Sequence, residues 1–124
     1  MITPEEIAAS VAEYAAELKA LEIVQLDLRG VISYTDYFLI CSGRSDRQVK
    51  GIHDAIHAGM KREHQMLPVR VDGLGKSDWV LMDYVDVVVH IFTPEVREFY
   101  RLETLWGEAP SVTLSPDVPV LAAS

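Results

Sequence analysis

The stretch WVLMDYVDVVVHIFTPEVREFYRLETLW, residues 79–106, predicts the central elements of the fold. Its central part, residues 85–92, is apolar except for Asp86 and His90, and most of its members are valine or isoleucine. β-Branched side chains at this density favour a strand. Because a nearly continuous apolar run is typical of a strand buried on both faces, Asp86–Phe92 is predicted to be a core strand.

A helix is predicted to follow this strand at once. Thr93 can cap the free N–H groups of a first helical turn, and Pro94 has the φ angle that suits the first helical position. Apolar and aromatic side chains recur at helical spacing as far as Trp106, and Gly107 is placed to end the helix. The stretch therefore predicts a core strand that feeds a helix over residues 93–106, which folds back on the sheet.

Hydrophobic periodicity predicts the elements on the N-terminal side of this core strand. In chain order they are a helix over residues 3–21, strands over 23–28 and 37–41, a helix over 46–64, and strands over 69–71 and 79–84. The order α-β-β-α-β-β-β-α predicts an α/β (mixed α+β) fold, with a mixed sheet of about five strands and helices packed on it.

The C-terminal segment is expected to form no regular element. It contains Pro110, Pro116 and Pro119 and has no apolar periodicity. We therefore predict one folded domain over residues 1–108 and a flexible tail over residues 109–124 that is dispensable for folding.

Composition narrows the class of partner and the compartment. The 124 residues include 11 basic and 19 acidic side chains, for a formal charge of −8, which disfavours direct nucleic-acid binding and favours a basic protein surface. Cys41 is the single cysteine, so no internal disulfide can form and a reducing compartment fits. No apolar run approaches the roughly 20 residues of a membrane span. Because the N-terminus carries acidic Glu5 and Glu6, no targeting peptide is expected, and a cytoplasmic location is predicted.

Two histidines and one cysteine are candidates for chemistry. His53 and His57 are four residues apart on one helical face, as two ligands of a zinc ion would be. The usual motif has glutamate where this chain has Asp54, and no third ligand follows, so neither a metal nor a cofactor is expected. Cys41 ends an apolar strand, which is typical of a buried structural cysteine.

A second candidate is the turn Ser42–Ser45, which precedes a helix and could bind a phosphate through free N–H groups. Nucleotidyl transfer would also need carboxylates on neighbouring strands to hold a metal ion. Asp83 and Asp86 are three residues apart across a turn and do not share a strand face. A nucleotide-binding or nucleotidyltransferase-like enzyme therefore stays as the alternative hypothesis.

The strand over residues 79–84 is the candidate for a binding surface. Trp79, Leu81 and Asp83 alternate onto one face, and the residues between them onto the other. One face must pack on helices, whereas the other would offer an aromatic anchor with an acidic rim. Either Trp79 belongs to the core or it anchors a partner. The predicted partner-binding residues are Trp79, Leu81, Met82, Asp83, Tyr84 and Asp86.

Two blocks of the sequence resemble the ribosomal silencing factor family, also called Iojap. They are SYTDYFLICSGRSDRQVKGIHD and WVLMDYVDVVVHIFTPEVREFYRLETLW, and the similarity covers about residues 4–108. The resemblance implies a nucleotidyltransferase-like fold without the catalytic carboxylates of that superfamily, and a protein that is not an enzyme.

The resemblance also implies a mechanism. Members bind the large ribosomal subunit through large-subunit ribosomal protein fourteen and block joining of the small subunit, which represses translation in starvation or stationary phase. Off the ribosome they are often homodimers. The family usually has glycine where this chain has Val85. A tight turn with positive φ suits glycine better, so the sequence leaves the geometry of this turn open.

Overall fold

A computed structural model describes residues 2–107 and 109–114. The helices are α1 (Pro4–Glu17), α2 (Asp46–His64), α3 (Pro94–Tyr100) and α4 (Leu102–Leu105). The strands are β1 (Leu21–Asp27), β2 (Tyr37–Ser42), β3 (Arg70–Asp72), β4 (Trp79–Asp83), β5 (Val87–Phe92) and β6 (Ser111–Thr113). The predicted mixed α/β architecture is confirmed, with six strands in the sheet where about five were expected.

The sheet has the strand order β3-β4-β5-β2-β1-β6. Strands β2 and β5 are its parallel pair, and their neighbours run antiparallel. Both central strands are buried along their whole length, as a continuous apolar run requires. The predicted core strand is therefore at the centre of the sheet, and β4 lies one strand in from the edge strand β3.

Helices α1 and α2 cover one face of the sheet. Their N-termini form where the sequence signals placed them: Thr3 and Glu6 complete a capping box, and the Ser45 hydroxyl accepts the N–H of Gln48. The two helices pack closely at Gly59, where a Cβ would lie 2.6 Å from the ring of Tyr14. The core of this layer includes Ile7, Val11, Ile52, Ile56, Met60, Val80, Met82, Val89 and Ile91.

Helices α3 and α4 and the chain after them cover part of the opposite face. A second core forms there around Leu26, Phe38, Ile40, Phe92, Leu102 and Ala109. Trp106 packs edge-on against Phe38 with ring centroids 6.4 Å apart. Trp79 and Leu81 of β4 are only partly buried against this second core, so the β4 part of this face is less covered than β2 and β5.

The single helix predicted over residues 93–106 is two helices. Arg101 has φ +49°, which ends α3 and starts α4. The Arg101 N–H still donates to the Arg97 carbonyl, and a new turn begins there. The break changes the direction of the chain and brings Trp106 onto the sheet.

The prediction of no regular element after residue 108 is wrong for residues 111–113. Strand β6 pairs antiparallel with β1, and Val112 lies opposite Gln25. The Asp27 N–H donates to the Pro110 carbonyl at 2.8 Å, and Ala109 is buried. The cause is the free edge of β1, which offers backbone groups to any extended segment. Residues 115–124 of the predicted tail lie outside the described residues.

The turn between β4 and β5, whose geometry the sequence left open, has a positive φ at Val85. Val85 has φ +74°, a region that β-branched residues rarely adopt. The Tyr84 N–H donates to the Val87 carbonyl, and the Asp86 N–H to the Tyr84 carbonyl, both at 2.9 Å. This two-residue loop normally takes glycine at its first position.

Candidate partner-binding face

Strand β4 alternates between the two faces of the sheet, as predicted, but the two faces differ in access. Met82 is fully buried and Tyr84 is 4% exposed, and both belong to the core under α1 and α2. Their assignment as partner-binding residues is therefore wrong, because a partner cannot reach them without displacing a helix. Trp79, Leu81 and Asp83 lie half-buried on the opposite face.

We call this partly open region the β4 face and define it by Trp79, Leu81 and Asp83 with their cross-strand neighbours on β3. Arg70 lies opposite Asp83, and Asp72 lies opposite Leu81. Directly opposed residues of antiparallel strands share a face, so these two charges flank the apolar centre. Arg70 and Asp72 pair with each other at 2.9 Å, and both are exposed.

Trp79 is held among three other rings. Its indole centroid lies 5.0 Å from the ring of Phe92, 6.0 Å from that of His90 and 4.6 Å from that of Tyr100 on α3. Its N–H donates to His90 Nδ1 at 3.1 Å. The two alternatives for Trp79 are thus both partly realised, since the indole packs on the core and keeps part of its surface open.

The two acidic residues of the prediction have different surroundings. Asp83 is half-buried, and its Oδ1 accepts the N–H of Val85 at 2.8 Å, so the side chain also holds the turn. Asp86 is exposed, and its carbonyl accepts the N–H groups of Asp36 and Tyr37. Asp83 thus lies at the end of β4, and Asp86 lies in the turn that follows it.

Sequence reasoning missed several residues of this region. Tyr100 is 50% exposed and Phe99 is 78% exposed, and their rings pack edge-on at 5.0 Å. They extend the apolar surface from Trp79 onto α3. Their helical spacing was visible in the sequence, but it predicted a buried stripe. In the structure both side chains are instead exposed, at the end of α3 just before the break at Arg101.

The histidine pair on α2 does not form a metal site in the described part of the chain. The rings of His53 and His57 lie 5.7 Å apart, and His53 Nδ1 lies 2.8 Å from the Asp54 carboxylate. No group of three or more His, Cys, Asp or Glu side chains within residues 2–107 and 109–114 is arranged to hold a metal ion.

In the Ser42–Ser45 turn the N–H groups of Gly43 and Arg44 donate within the protein, as does that of Gln48 in the first turn of α2. The Arg44 N–H donates to the Gln48 side chain, that of Gln48 to the Ser45 hydroxyl, and that of Gly43 to the Phe92 carbonyl. Gly43 is needed for packing, since a Cβ there would lie 2.8 Å from the Val49 nitrogen. A phosphate would have to displace these internal contacts.

A cavity of about 400 Å³ lies beside this turn, at the ends of the parallel strands β2 and β5. Arg97 is buried there, and it donates to the Ser42 hydroxyl at 2.8 Å and to the Glu103 carboxylate at 2.6 Å. Glu22 and Glu98 also line the cavity. The two guanidinium groups of the lining, Arg97 and Arg101, are already paired with Glu103 and Glu98, so neither is free to bind a nucleotide phosphate.

Cys41 is fully buried next to this cavity. Burial raises the pKa of its thiol to about 12, so the thiol stays protonated at neutral pH. Because the thiolate is the nucleophile, Cys41 has a structural role.

Comparison with known proteins decides the family. Residues 2–123 match the family model described as RsfS, ribosomal silencing factor during starvation. The chain belongs to this family. The match extends beyond residue 108, where the resemblance found in the sequence had ended.

Relatives of this chain include bacterial proteins and proteins named for chloroplasts or mitochondria. The ribosomal silencing factor RsfS of Bacillus subtilis is 42% identical over 96 residues, which are 77% of this chain and 80% of the relative. The mouse protein named mitochondrial assembly of ribosomal large subunit protein 1 is 34% identical over 92 residues, 70% of this chain and 39% of the relative. A crystal structure of a Chromobacterium violaceum protein matches with a TM-score of 0.82 at 32% identity, covering 86% of this chain and 88% of that one.

Proposed function

We propose that the protein binds the large ribosomal subunit through its β4 face and thereby blocks association with the small subunit. The observation that carries this proposal is the half-open cluster of Trp79, Leu81 and Tyr100 on a sheet face whose other side is sealed by two helices. Rigid aromatic anchors in such a setting are typical centres of protein interfaces.

The family supports the ribosome as the target. Ribosomal silencing is the role that the family description prints, and the mouse relative is named for the large subunit. The resemblance found in the sequence implies large-subunit ribosomal protein fourteen as the direct contact. Repression of translation in starvation, in the cytoplasm, is part of the same proposal.

Charge supports a basic protein as the contact. The chain carries a formal charge of −8. On the β4 face Arg70 and Asp72 neutralise each other, which leaves Asp83 on this face and Asp86 in the adjoining turn as acidic groups. Carboxylates around an apolar centre steer a basic partner and exclude an acidic one. The protein should therefore associate with the large subunit more slowly as the salt concentration rises.

The mechanism needs occupancy alone. A bound protein of this size covers the surface on which the small subunit must dock, so subunit joining fails without any covalent step. No catalytic residue is required, and the proposal assigns the protein no enzymatic activity. Off the ribosome we propose a homodimer, which analytical ultracentrifugation tests directly.

Leu81 and Met82 provide a matched test, because they are neighbours on opposite faces of β4. Leu81→Ala removes apolar surface from the β4 face, whereas Met82→Ala leaves a cavity under the helices. Co-sedimentation with isolated large subunits measures binding, and urea unfolding measures stability. Met82→Ala should cost about 2–5 kcal/mol of stability and, where folded, bind like the parent protein.

Leu81→Ala should give the reverse pattern, with weaker binding by about tenfold or more and a smaller loss of stability. Asp83→Asn should also weaken binding while it keeps the acceptor for the Val85 N–H. The proposal fails if folded Leu81→Ala and Asp83→Asn both bind like the parent, or if the parent sediments equally well with small subunits.

A further inference from the structure

His90 is a buried polar side chain on the β4 face that the proposed mechanism does not yet use. It is 4% exposed and lies on β5 between Leu81 on β4 and Ile40 on β2. The ring of Phe38 lies 4.6 Å from the imidazole, in an edge-on arrangement. Burying a polar imidazole among apolar side chains costs free energy unless its nitrogens form hydrogen bonds.

The hydrogen bond to Trp79 determines the state of this imidazole. An indole N–H can only donate, so His90 Nδ1, at 3.1 Å, must be the acceptor. The neutral ring then carries its proton on Nε2. Within the described residues Nε2 has no hydrogen-bond partner. The hydrogen bond at Nδ1 is therefore formed together with an unpaired, buried N–H, which costs free energy.

The surroundings keep His90 neutral. The residues that face it from β2, β4 and β5 are uncharged, and they are Phe38, Ile40, Trp79, Leu81 and Phe92. From α3 the nearest contribution is Tyr100, which stacks on Trp79. Asp83, opposite Val88, is a carboxylate on the same face of the sheet. Burial lowers the pKa of His90 to about 4, so at neutral pH the ring is an acceptor at Nδ1.

We propose that His90 is a positioning residue, which fixes the indole of Trp79 in the orientation that the ribosomal partner binds. This inference rests on the proposed function. Phe92 and Tyr100 restrict the indole through packing, but aromatic packing alone permits rotation of the ring. The hydrogen bond to Nδ1 selects one orientation.

An anchor that is already ordered loses less side-chain entropy on binding, so fixing the ring raises affinity without adding a contact to the partner. His90 itself remains buried and does not touch the partner. It therefore acts only through Trp79, which a mutant cycle can detect.

Four variants test this inference by binding to isolated large subunits. His90→Leu removes the acceptor, whereas His90→Asn retains an oxygen near the position of Nδ1 and removes the titratable ring. Trp79→Phe removes the indole N–H. The double variant combines His90→Leu with Trp79→Phe. It completes a double-mutant cycle, which measures the coupling energy between the two side chains.

We expect His90→Leu to lower affinity about tenfold, His90→Asn to recover most of that loss, and His90→Leu to have little further effect in the Trp79→Phe background. Additive effects of the two single changes, or equal losses in His90→Leu and His90→Asn, would overturn the inference. Leu81→Ala serves as the reference: if it binds like the parent, the proposed face is wrong. If Leu81→Ala is weak but His90→Leu is not, only the positioning role is wrong.

The unmutated protein offers a test that does not depend on the folding of variants. Nitrogen-15 NMR of the histidine rings at pH 7 should show His90 as the neutral Nε2–H tautomer, with a coupling between the Trp79 indole N–H and Nδ1. A charged ring, or the Nδ1–H tautomer, would show that His90 does not accept this bond.

Discussion

Replacing Val85 with glycine should stabilise the protein. Val85 has φ +74°, and an L-residue with a Cβ pays a cost of about 1–2 kcal/mol in this region. Glycine avoids that cost but loses about 0.5–1 kcal/mol more backbone entropy on folding. Because the Val85 side chain is 53% exposed, little packing is lost. The balance is a gain of about 1 kcal/mol, as an estimate from these two general values.

Differential scanning calorimetry and urea unfolding measure this gain. A change of about 1 kcal/mol corresponds to a rise in melting temperature of about 4 °C for a domain of this size. The backbone bonds of the turn, from Tyr84 to Val87 and from Asp86 to Tyr84, involve no side chain of residue 85 and should persist.

Val85→Ala is the matched control, because it removes the β-branch but keeps the Cβ. It should recover less than half of the gain seen with glycine. A Val85→Gly protein that melts at or below the temperature of the parent would show that the turn is not strained at this residue.

Three further predictions concern pH, the C-terminus and metal. Because the folded pKa of His90 is about 4 and the unfolded one about 6.5, its contribution to stability is complete above pH 6.5 and is lost as pH falls through the folded pKa. The loss at pH 5 should be about 2 kcal/mol by urea unfolding, and His90→Asn should lack it. Truncation after Gly107 removes Ala109 and β6 and should cost on the order of 1–2 kcal/mol, whereas truncation after Leu114 should leave the melting temperature unchanged. Protein purified without a metal-affinity tag should contain substoichiometric zinc, and His57→Ala should melt like the parent.

Local signals predicted most of the fold. The α2 helix was expected over residues 46–64 and spans Asp46–His64, because Ser45 caps its start and one apolar stripe runs along it. The burial of β5 on both faces followed from its unbroken apolar character. In such elements the local preference and the tertiary environment agree.

The break between α3 and α4 could not be predicted in this way. Arg101 has the left-handed conformation although neither glycine nor proline marks the position. The packing of Trp106 on Phe38, far apart in sequence, accompanies the break. Strand β6 is a similar case, since its pairing depends on the free edge of β1 and not on its own residues.

The candidate site was predicted in part. Alternation along β4 separated Trp79, Leu81 and Asp83 from Met82 and Tyr84, and the structure confirms that division. Both sets contain large apolar side chains, so the pattern could not show which face the helices cover. His90 was visible as a polar interruption of the apolar run, but a single histidine has no periodic signal that would indicate a hydrogen bond to Trp79.

On the proposed mechanism, occupancy of the large subunit by the β4 face prevents subunit joining. Light scattering of purified large subunits mixed with small subunits measures joining directly, with and without prior addition of the protein. The parent should reduce joining in proportion to the large subunits that it occupies, and Leu81→Ala should need about tenfold more protein for the same effect. Undiminished joining on large subunits saturated with the parent protein, or full inhibition by Leu81→Ala at the parent concentration, would contradict this account.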